Sequence, residues 1–429
     1  MIHSKITKFA AALGTATLVA AFCAPANAAI VLGGDNGWEV SYGGFVNLFY
    51  TQTDFEFSDG TSEDSSHLNE GLLPAFHTLT AKSPEIGGLK GTAQITFAPD
   101  SSSNKNGRLN KGGTFGTGDP IDMREVFFNV SGDFGTISAG RTLALFQRQA
   151  ILKDMTLFGM GALAGPDGGG TGLGRIGFGY VYPDFRTRFA YKTPDINGFN
   201  LELGIFDPQE PLGANIAETD TPQFQMEGTY THAFENGSFN IWLGLLWQEM
   251  EVALPGIAAV PAGFAIDQTT GLVVATPAVA AIPGASGDID SFGWNIGADI
   301  KFGGFNVVGS YYSGEALGAV LFNLGGGDGF SCVQTAAIQD CDEADNDGYY
   351  IQGSYTFNGE TKVGLSYGRS LQDDNSAGAP QVDSSLWTVG VYHDINSWLK
   401  VMAEYNHHES DFFGVDEADN FSIGGFMLW

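Results

Sequence analysis

Three scarcities narrow the chain before any motif is read. Positive charge is scarce: 19 Lys and Arg stand against 49 Asp and Glu, a formal net charge of -30. Nucleic-acid binding needs a basic footprint, so this balance argues against that partner. Cysteine is scarcer, with 3 residues. No C-x-x-C pair, His/Cys metal cluster or phosphate-cradling loop occurs among them or elsewhere. Past the amino-terminal residues there is no run of about 18 apolar residues, which excludes an all-helical membrane protein.

What is present begins with an export signal. Lys5 and Lys8 open it, Phe9 to Ala21 form its apolar middle, and Ala26-Asn27-Ala28 reads as a cleavage site before Ala29. Phe22 ahead of Cys23 fits lipid attachment poorly, so simple cleavage of residues 1–28 is expected. The mature chain then carries a charge of about -32, suited to a solvated surface, divalent-cation contact or a cation-favouring pore. Only Cys332 and Cys341 remain. They share one loop of an exported chain, so a local disulfide is expected.

The mature chain alternates. Leu89, Gly91, Ala93, Ile95 and Phe97 interleave with Lys90, Thr92, Gln94 and Thr96, and segments of the same period recur to the terminal Trp429. Short turns fall near 83–88, 132–135, 194–198, 235–237, 303–304, 358–360 and 394–397, with long polar loops between them. The spacing predicts sixteen strands, provided 175–182 belongs to an inserted stretch. Hydrocarbon offers a strand edge no hydrogen bonds, so spanning strands must close into a barrel. Short turns at one end and long loops at the other mark a transmembrane antiparallel β-barrel. A secreted soluble sandwich or propeller explains that asymmetry less well.

One stretch breaks the pattern. Residues 140–184 run from Gly140-Arg141 through Lys153-Asp154-Met155 to a glycine-rich segment. Long insertions in compact folds are usually functional. This one is read as a loop folded inward after strand five, spanning about 142–185. Parity places Arg186, Arg188 and Lys192 on the polar, lumen face of the next strand. It places Arg124 outward. A second insertion, about 250–289, is rich in Ala, Val and Pro. It reads as a plain surface arm, with a hairpin turn near 267–271, or as a contact with a neighbouring subunit or barrel.

The order of these features resembles the general porins of Gram-negative outer membranes, a trimeric sixteen-stranded family. Gly132-Asp133-Phe134-Gly135-Thr136-Ile137-Ser138-Ala139-Gly140-Arg141 resembles the family's turn and fifth strand, and Asp154-Met155 a step within its constriction loop. Gly88-Leu89-Lys90-Gly91 and the terminal aromatic also fit. The resemblance implies passive diffusion of small hydrophilic solutes through an eyelet, with Arg141 as a wall cation and Asp154 as a loop acid. It further implies a homotrimer in outer-membrane lipid and lipopolysaccharide, inserted by barrel-assembly machinery that reads the last strand. No cofactor is implied.

Two departures stand out. Gly43-Gly44 occupies the place of an expected wall cation, and Phe158 that of an expected loop acid. Met155, Leu157, Phe158 and Met160 either make the eyelet less polar or anchor the loop to the wall. The acidic excess favours cations, while the wall cations act locally the other way. Divalent cations such as calcium at the acidic loops 340–347 and 409–419 are a further reading, although the spacing matches no calcium loop. A substrate-specific channel, an adhesin and a barrel enzyme are the rivals. His77, His232, His393, His407 and His408 are scattered and present no nucleophile–base spacing, so no catalysis is expected.

Overall fold

The computed structural model describes residues 29–99, 122–163, 171–209, 216–218, 221–254, 259, 262–266, 273–278, 281, 284–321, 329–334, 339–373, 381–410 and 415–429. The export signal, the loop at 100–119 and the turn expected at 267–271 lie outside them. The wall consists of β1 (Glu39–Phe57), β2 (Ser62–Asn69 and Phe76–Lys82), β3 (Lys90–Ala98), β4 (Asp122–Gly132), β5 (Gly135–Leu143) and β6 (Phe185–Lys192). It continues through β7 (Phe199–Phe206), β8 (Gln223–Phe234), β9 (Gly237–Leu254), β10 (Ala285–Phe302) and β11 (Phe305–Glu315). It closes with β12 (Asp345–Phe357), β13 (Thr361–Gln372), β14 (Val382–Asp394), β15 (Leu399–Ser410) and β16 (Val415–Leu428).

Each strand pairs antiparallel with the next, and β16 returns to β1 with Phe45 opposite Leu428 and Glu56 opposite Glu417. The main sheet is therefore a closed sixteen-stranded barrel. Its nineteen hydrogen-bonded segments include two short side pieces, Ile30–Gly33 on β1 and Ile216–Glu218 on β9, and the two halves of β2. The two halves of β2 differ in pattern, and the lower half, Phe-His-Thr-Leu-Thr-Ala-Lys, carries the apolar residues. The upper half, Ser-Glu-Asp-Ser-Ser-His-Leu-Asn, is polar on both faces and reads as loop.

The barrel is inside-out relative to a soluble protein. Leu48, Ile296, Ile351, Leu365, Val389 and Ile423 point outward and are exposed. Their inward neighbours are polar: Asn47, Asn295, Gln352, Ser366, Thr388 and Ser422. Outward aromatics form two bands. Tyr349, Tyr367 and Trp387 lie side by side with ring centroids 6.1 and 4.5 Å apart. Phe305, Tyr355 and Phe357 do so by the short turns, at 4.6 and 4.7 Å. On β12, Tyr349 and Tyr355 are separated by about 20 Å of strand at about 3.4 Å per residue. That separation suits the apolar band of an outer-membrane barrel between its aromatic girdles.

Turn chemistry follows the residues. Asn197-Gly198 and Asn358-Gly359 both hold positive φ at each position, as two-residue hairpin turns of the right twist require. The barrel's seam uses Gly44, whose amide donates to the carbonyl of Trp429 at 2.9 Å. A Cβ there would sit 2.2 Å from the Phe76 carbonyl, so the wall cation expected at this place has no room. Cys332 and Cys341 form a disulfide inside a small hairpin, Phe330–Gln334 with Gln339–Glu343. Within the Ala/Val/Pro-rich insertion, Gly263–Ile266 pairs with Val273–Thr276.

Candidate functional site: the lumen

The chain leaves the wall after Leu143 and rejoins it at Phe185. The neck is tied by the Ala144 amide donating to Asp184 O at 2.9 Å. Between them lie α1 (Arg148–Lys153) and a 3-10 turn, Met155–Phe158. A chain inside a barrel still has to satisfy its backbone polar groups. Here inward wall side chains do so. Gln225 Oε1 accepts the amides of Leu145 and Phe146, both at 2.8 Å. Gln352 accepts from the Met155 amide at 2.8 Å and donates to Lys153 O at 2.7 Å. Glu404 Oε2 accepts from Met160 and Gly161 at 2.8 and 3.0 Å, and its other oxygen accepts from Tyr392 Oη at 2.7 Å.

Charge pairing runs opposite to the eyelet expected from the resemblance. The loop supplies cations and the wall supplies acids. Arg148 on α1 reaches Glu202 of β7 at 2.8 Å and Glu227 of β8 at 2.6 Å, and all three are buried. Burial opposes the Arg148 charge, yet the two carboxylates outweigh it and raise its pKa. Lys153 reaches Asp299 of β10 at 3.1 Å. Burial lowers the Lys153 pKa, with Asp299 pulling the other way. Parity had already put Glu202, Glu227 and Asp299 on the polar face. Nothing in the sequence said that a loop helix would meet them.

The expected site residues divide. Arg186, Arg188 and Lys192 share the inward face of β6, as parity predicted. Arg188 is paired with Glu202 at 3.1 Å and donates to Leu143 O at 3.0 Å, and Arg186 donates to Asp207 O. Asp154 lies in the loop but faces its interior at 4% exposure. It caps the 3-10 turn through the Thr156 amide at 3.0 Å, accepts from Tyr180 Oη at 2.8 Å, and lies 3.7 Å from buried Arg175. It braces the loop and does not line a passage. Arg141 departs from the expectation. It pairs in register with outward Val126 and sits on the outer face, 4.0 Å from Asp122. Arg124 departs the other way. Thr96 pairs with Glu125 and Phe97 with Met123, so Arg124 is the extra residue of a bulge. A bulge re-aims its side chain, and Arg124 turns inward to Tyr182 Oη at 3.1 Å.

The apolar loop residues are anchors. Phe158 lies edge-on to Phe45 and Phe426 at 6.4 and 5.4 Å. Met155, Leu157 and Met160 are buried in the same cluster, with Tyr180 and Tyr350.

Two further segments enter the lumen, and neither was legible in the sequence. Between the halves of β2, residues 70–75 leave the wall and turn inward. Pro74 has no amide to continue the ladder. The detour docks on the loop through Leu72 N to Gly159 O at 2.8 Å and Gly172 N to Glu70 O at 3.1 Å. Asn47 clamps it, accepting from Gly71 N at 2.7 Å and donating to Leu73 O at 2.8 Å. Near the long-loop end, Ala316 and α2 (Leu317–Val320) pack on Phe146, Val181 and Tyr312.

These segments and the wall's own neighbours cover much of the inner face of the barrel. Thr51, Thr96, Gln248, Thr388 and Asn406 point inward and are 0% exposed. Side chains lining a wide aqueous bore would stay wet. At the long-loop rim, His407, Glu417 and Asp419 come together, with His407 Nδ1 at 3.0 Å from Asp419 Oδ1. The imidazole is itself the hydrogen-bond partner of Asp419.

A family model described as Gram-negative porin matches residues 15–412. No curated protein matches. Among solved structures, the anion-selective porin from Comamonas acidovorans is 14% identical with a TM-score of 0.59, covering 91% of this chain and 100% of its own. The outer membrane channel DcaP of Acinetobacter baumannii is 12% identical with a TM-score of 0.62, covering 93% and 99%. A trimer form of OmpT, an outer membrane protein of Vibrio cholerae, is 16% identical with a TM-score of 0.50, covering 92% and 100%.

Proposed function

The chain belongs to the Gram-negative porin family, and from that premise we propose a homotrimeric channel that passes small water-soluble solutes and ions by passive diffusion through a narrowed lumen. Its place is the outer membrane, and family and fold point to a channel rather than an enzyme. The observation that carries the reading is the inward loop, held to the wall on every side by buried polar contacts. Such an element sets the cross-section of whatever passes.

The covered inner face favours a selective channel over a wide diffusion pore. The cation preference expected from composition finds no support in the lumen, where Arg186, Arg188 and Lys192 face inward and Arg148 and Lys153 neutralise wall acids. The trimeric relative supports self-association. Outer-membrane lipid and lipopolysaccharide are the proposed surroundings, and the β16 end at Trp429 is the proposed recognition element for barrel assembly.

Purified protein inserted in planar bilayers tests this. The expected result is ohmic openings that arrive in groups of three. Inserted protein that never conducts potassium chloride would overturn the channel reading.

A further inference from the structure

The wall lysines gather at one end of the barrel. Among the described residues, each stands within two residues of a short turn. Lys82 ends β2, Lys90 opens β3, Lys192 ends β6, Lys301 is next to last on β10, and Lys362 and Lys400 are second on β13 and β15. All of them have lumen parity. Lys301, for instance, follows outward Ile300 and shares the face of inward Asp299, and its side chain is 59% exposed. Lys400 lies 5.6 Å from the ring of Phe158, beneath the inward loop, and Lys362 lies 4.3 Å from the Tyr392 ring. The loop adds Lys153.

Cations outnumber acids at three places around this half of the lumen. Asp299 is shared by Lys153 at 3.1 Å and Lys301 at 3.7 Å. Asp394 pairs with Lys400 at 2.7 Å, which leaves Lys362 with no ion pair among the described residues. Glu202 and Glu227 serve Arg148 and Arg188, and Lys192 stands opposite Glu202 in the ladder as a further cation. Lys82 and Lys90 are matched one to one by Glu39 and Glu85. Glu404, farther up the wall, is engaged by the Met160 and Gly161 amides and by the Tyr392 hydroxyl. Asp133, Asp195, Glu235 and Glu360 belong to the short turns, beyond the strand ends.

The opposite rim has the reverse sign. Asp54 and Glu56 of β1, Asp345 and Asp347 of β12, and Glu417 and Asp419 of β16 stand at the long-loop ends of their strands. A cleft lined by one sign of charge concentrates ions of the other. Lysine holds oxyanions as a point charge, without the fixed fork of arginine. The cation-rich places on β10 and β13 are three strands apart, about 14 Å along the wall. A monovalent anion meets one of them at a time, while a multivalent anion is drawn by several.

We propose that the short-turn half of the lumen, beneath the inward loop, is a binding site for multivalent oxyanions, oligophosphates or polycarboxylates, which reach it from the short-turn side. The proposal rests on the channel reading above and gives that channel a direction: the long-loop rim repels these anions and the short-turn mouth gathers them.

Sided block in planar bilayers tests it, with inorganic tripolyphosphate added to one chamber of a potassium chloride bath. Ser397 is exposed in the turn between β14 and β15. A biotin at Ser397→Cys, read by streptavidin, reports which chamber faces the short turns. Tripolyphosphate is expected to block at about tenfold lower concentration from the short-turn side than from the other, the worth of one charge-assisted hydrogen bond. Lys301→Gln together with Lys362→Gln is expected to raise the short-turn blocking concentration about tenfold. Lys301→Gln alone, a change at an exposed side chain, is expected to raise it by a smaller factor. Arg369→Gln removes a cation near the long-loop end of β13 and is expected to leave it unchanged. Equal block from both sides, a double variant blocked like wild type, or an Arg369→Gln effect as large as that of the double variant overturns the binding site while leaving the channel intact. Protein that fails to conduct even potassium chloride overturns both readings.

Discussion

Gly161→Val is expected to raise single-channel conductance by about twofold or more, since the loop tip sets the free cross-section. Gly161 holds φ +62°, and a Cβ there would meet Gly174 O at 2.2 Å. A β-branched residue strains that backbone region by about 1–2 kcal/mol before the clash is counted. Relief requires the tip to move, which releases the Met160 and Gly161 amides from Glu404. Glu404 makes this contact with its side chain, while its backbone stays paired with Ser422 in the ladder of β15 with β16. The barrel should therefore keep its resistance to detergent unfolding while the lumen opens. Unchanged conductance in a variant with wild-type gel mobility would show that the tip does not limit passage.

Arg148→Gln carries the largest expected stability effect. It leaves Glu202 and Glu227 buried without their shared cation. Removing one partner of a buried ion pair costs about 3–5 kcal/mol. The base of the loop should loosen, thermal unfolding should shift down, and the reversal potential should move toward cations. The double variant Arg148→Gln, Glu227→Gln should recover most of the lost stability, because Glu202 keeps its pair with Arg188 and no buried charge is left without a partner. A single variant as stable as wild type would mean that the network does not hold the loop.

Much of this architecture is written in short-range signals. A period of two, turns such as Asn358-Gly359, and one long interruption are enough to place the wall and the inward loop. The face of Arg186, Arg188 and Lys192 follows from the same period. It fails at Arg124 because a bulge breaks the period, and no composition cue marks a bulge. Arg141 was carried over from a resemblance, while its own parity with Ile137 and Ala139 pointed outward. Asp154 was placed in the right segment, but which way a loop side chain faces depends on contacts with Tyr180 and Arg175, both distant in sequence. The detour at 70–75 has Gly71 and Pro74 as its only local marks, and those fit an ordinary turn equally well. Glu202 and Glu227 alternate with outward apolar residues, so their inward direction follows from the same period, and their partners are long-range pairings no local pattern encodes.

If three inward segments narrow the sixteen-stranded barrel, solute size alone should decide entry. Swelling of proteoliposomes in neutral sugars of graded size tests it without any charge effect. Glycerol is expected to enter, hexoses to enter slowly, and disaccharides to be excluded. Disaccharide entry at a rate close to that of glycerol would contradict it.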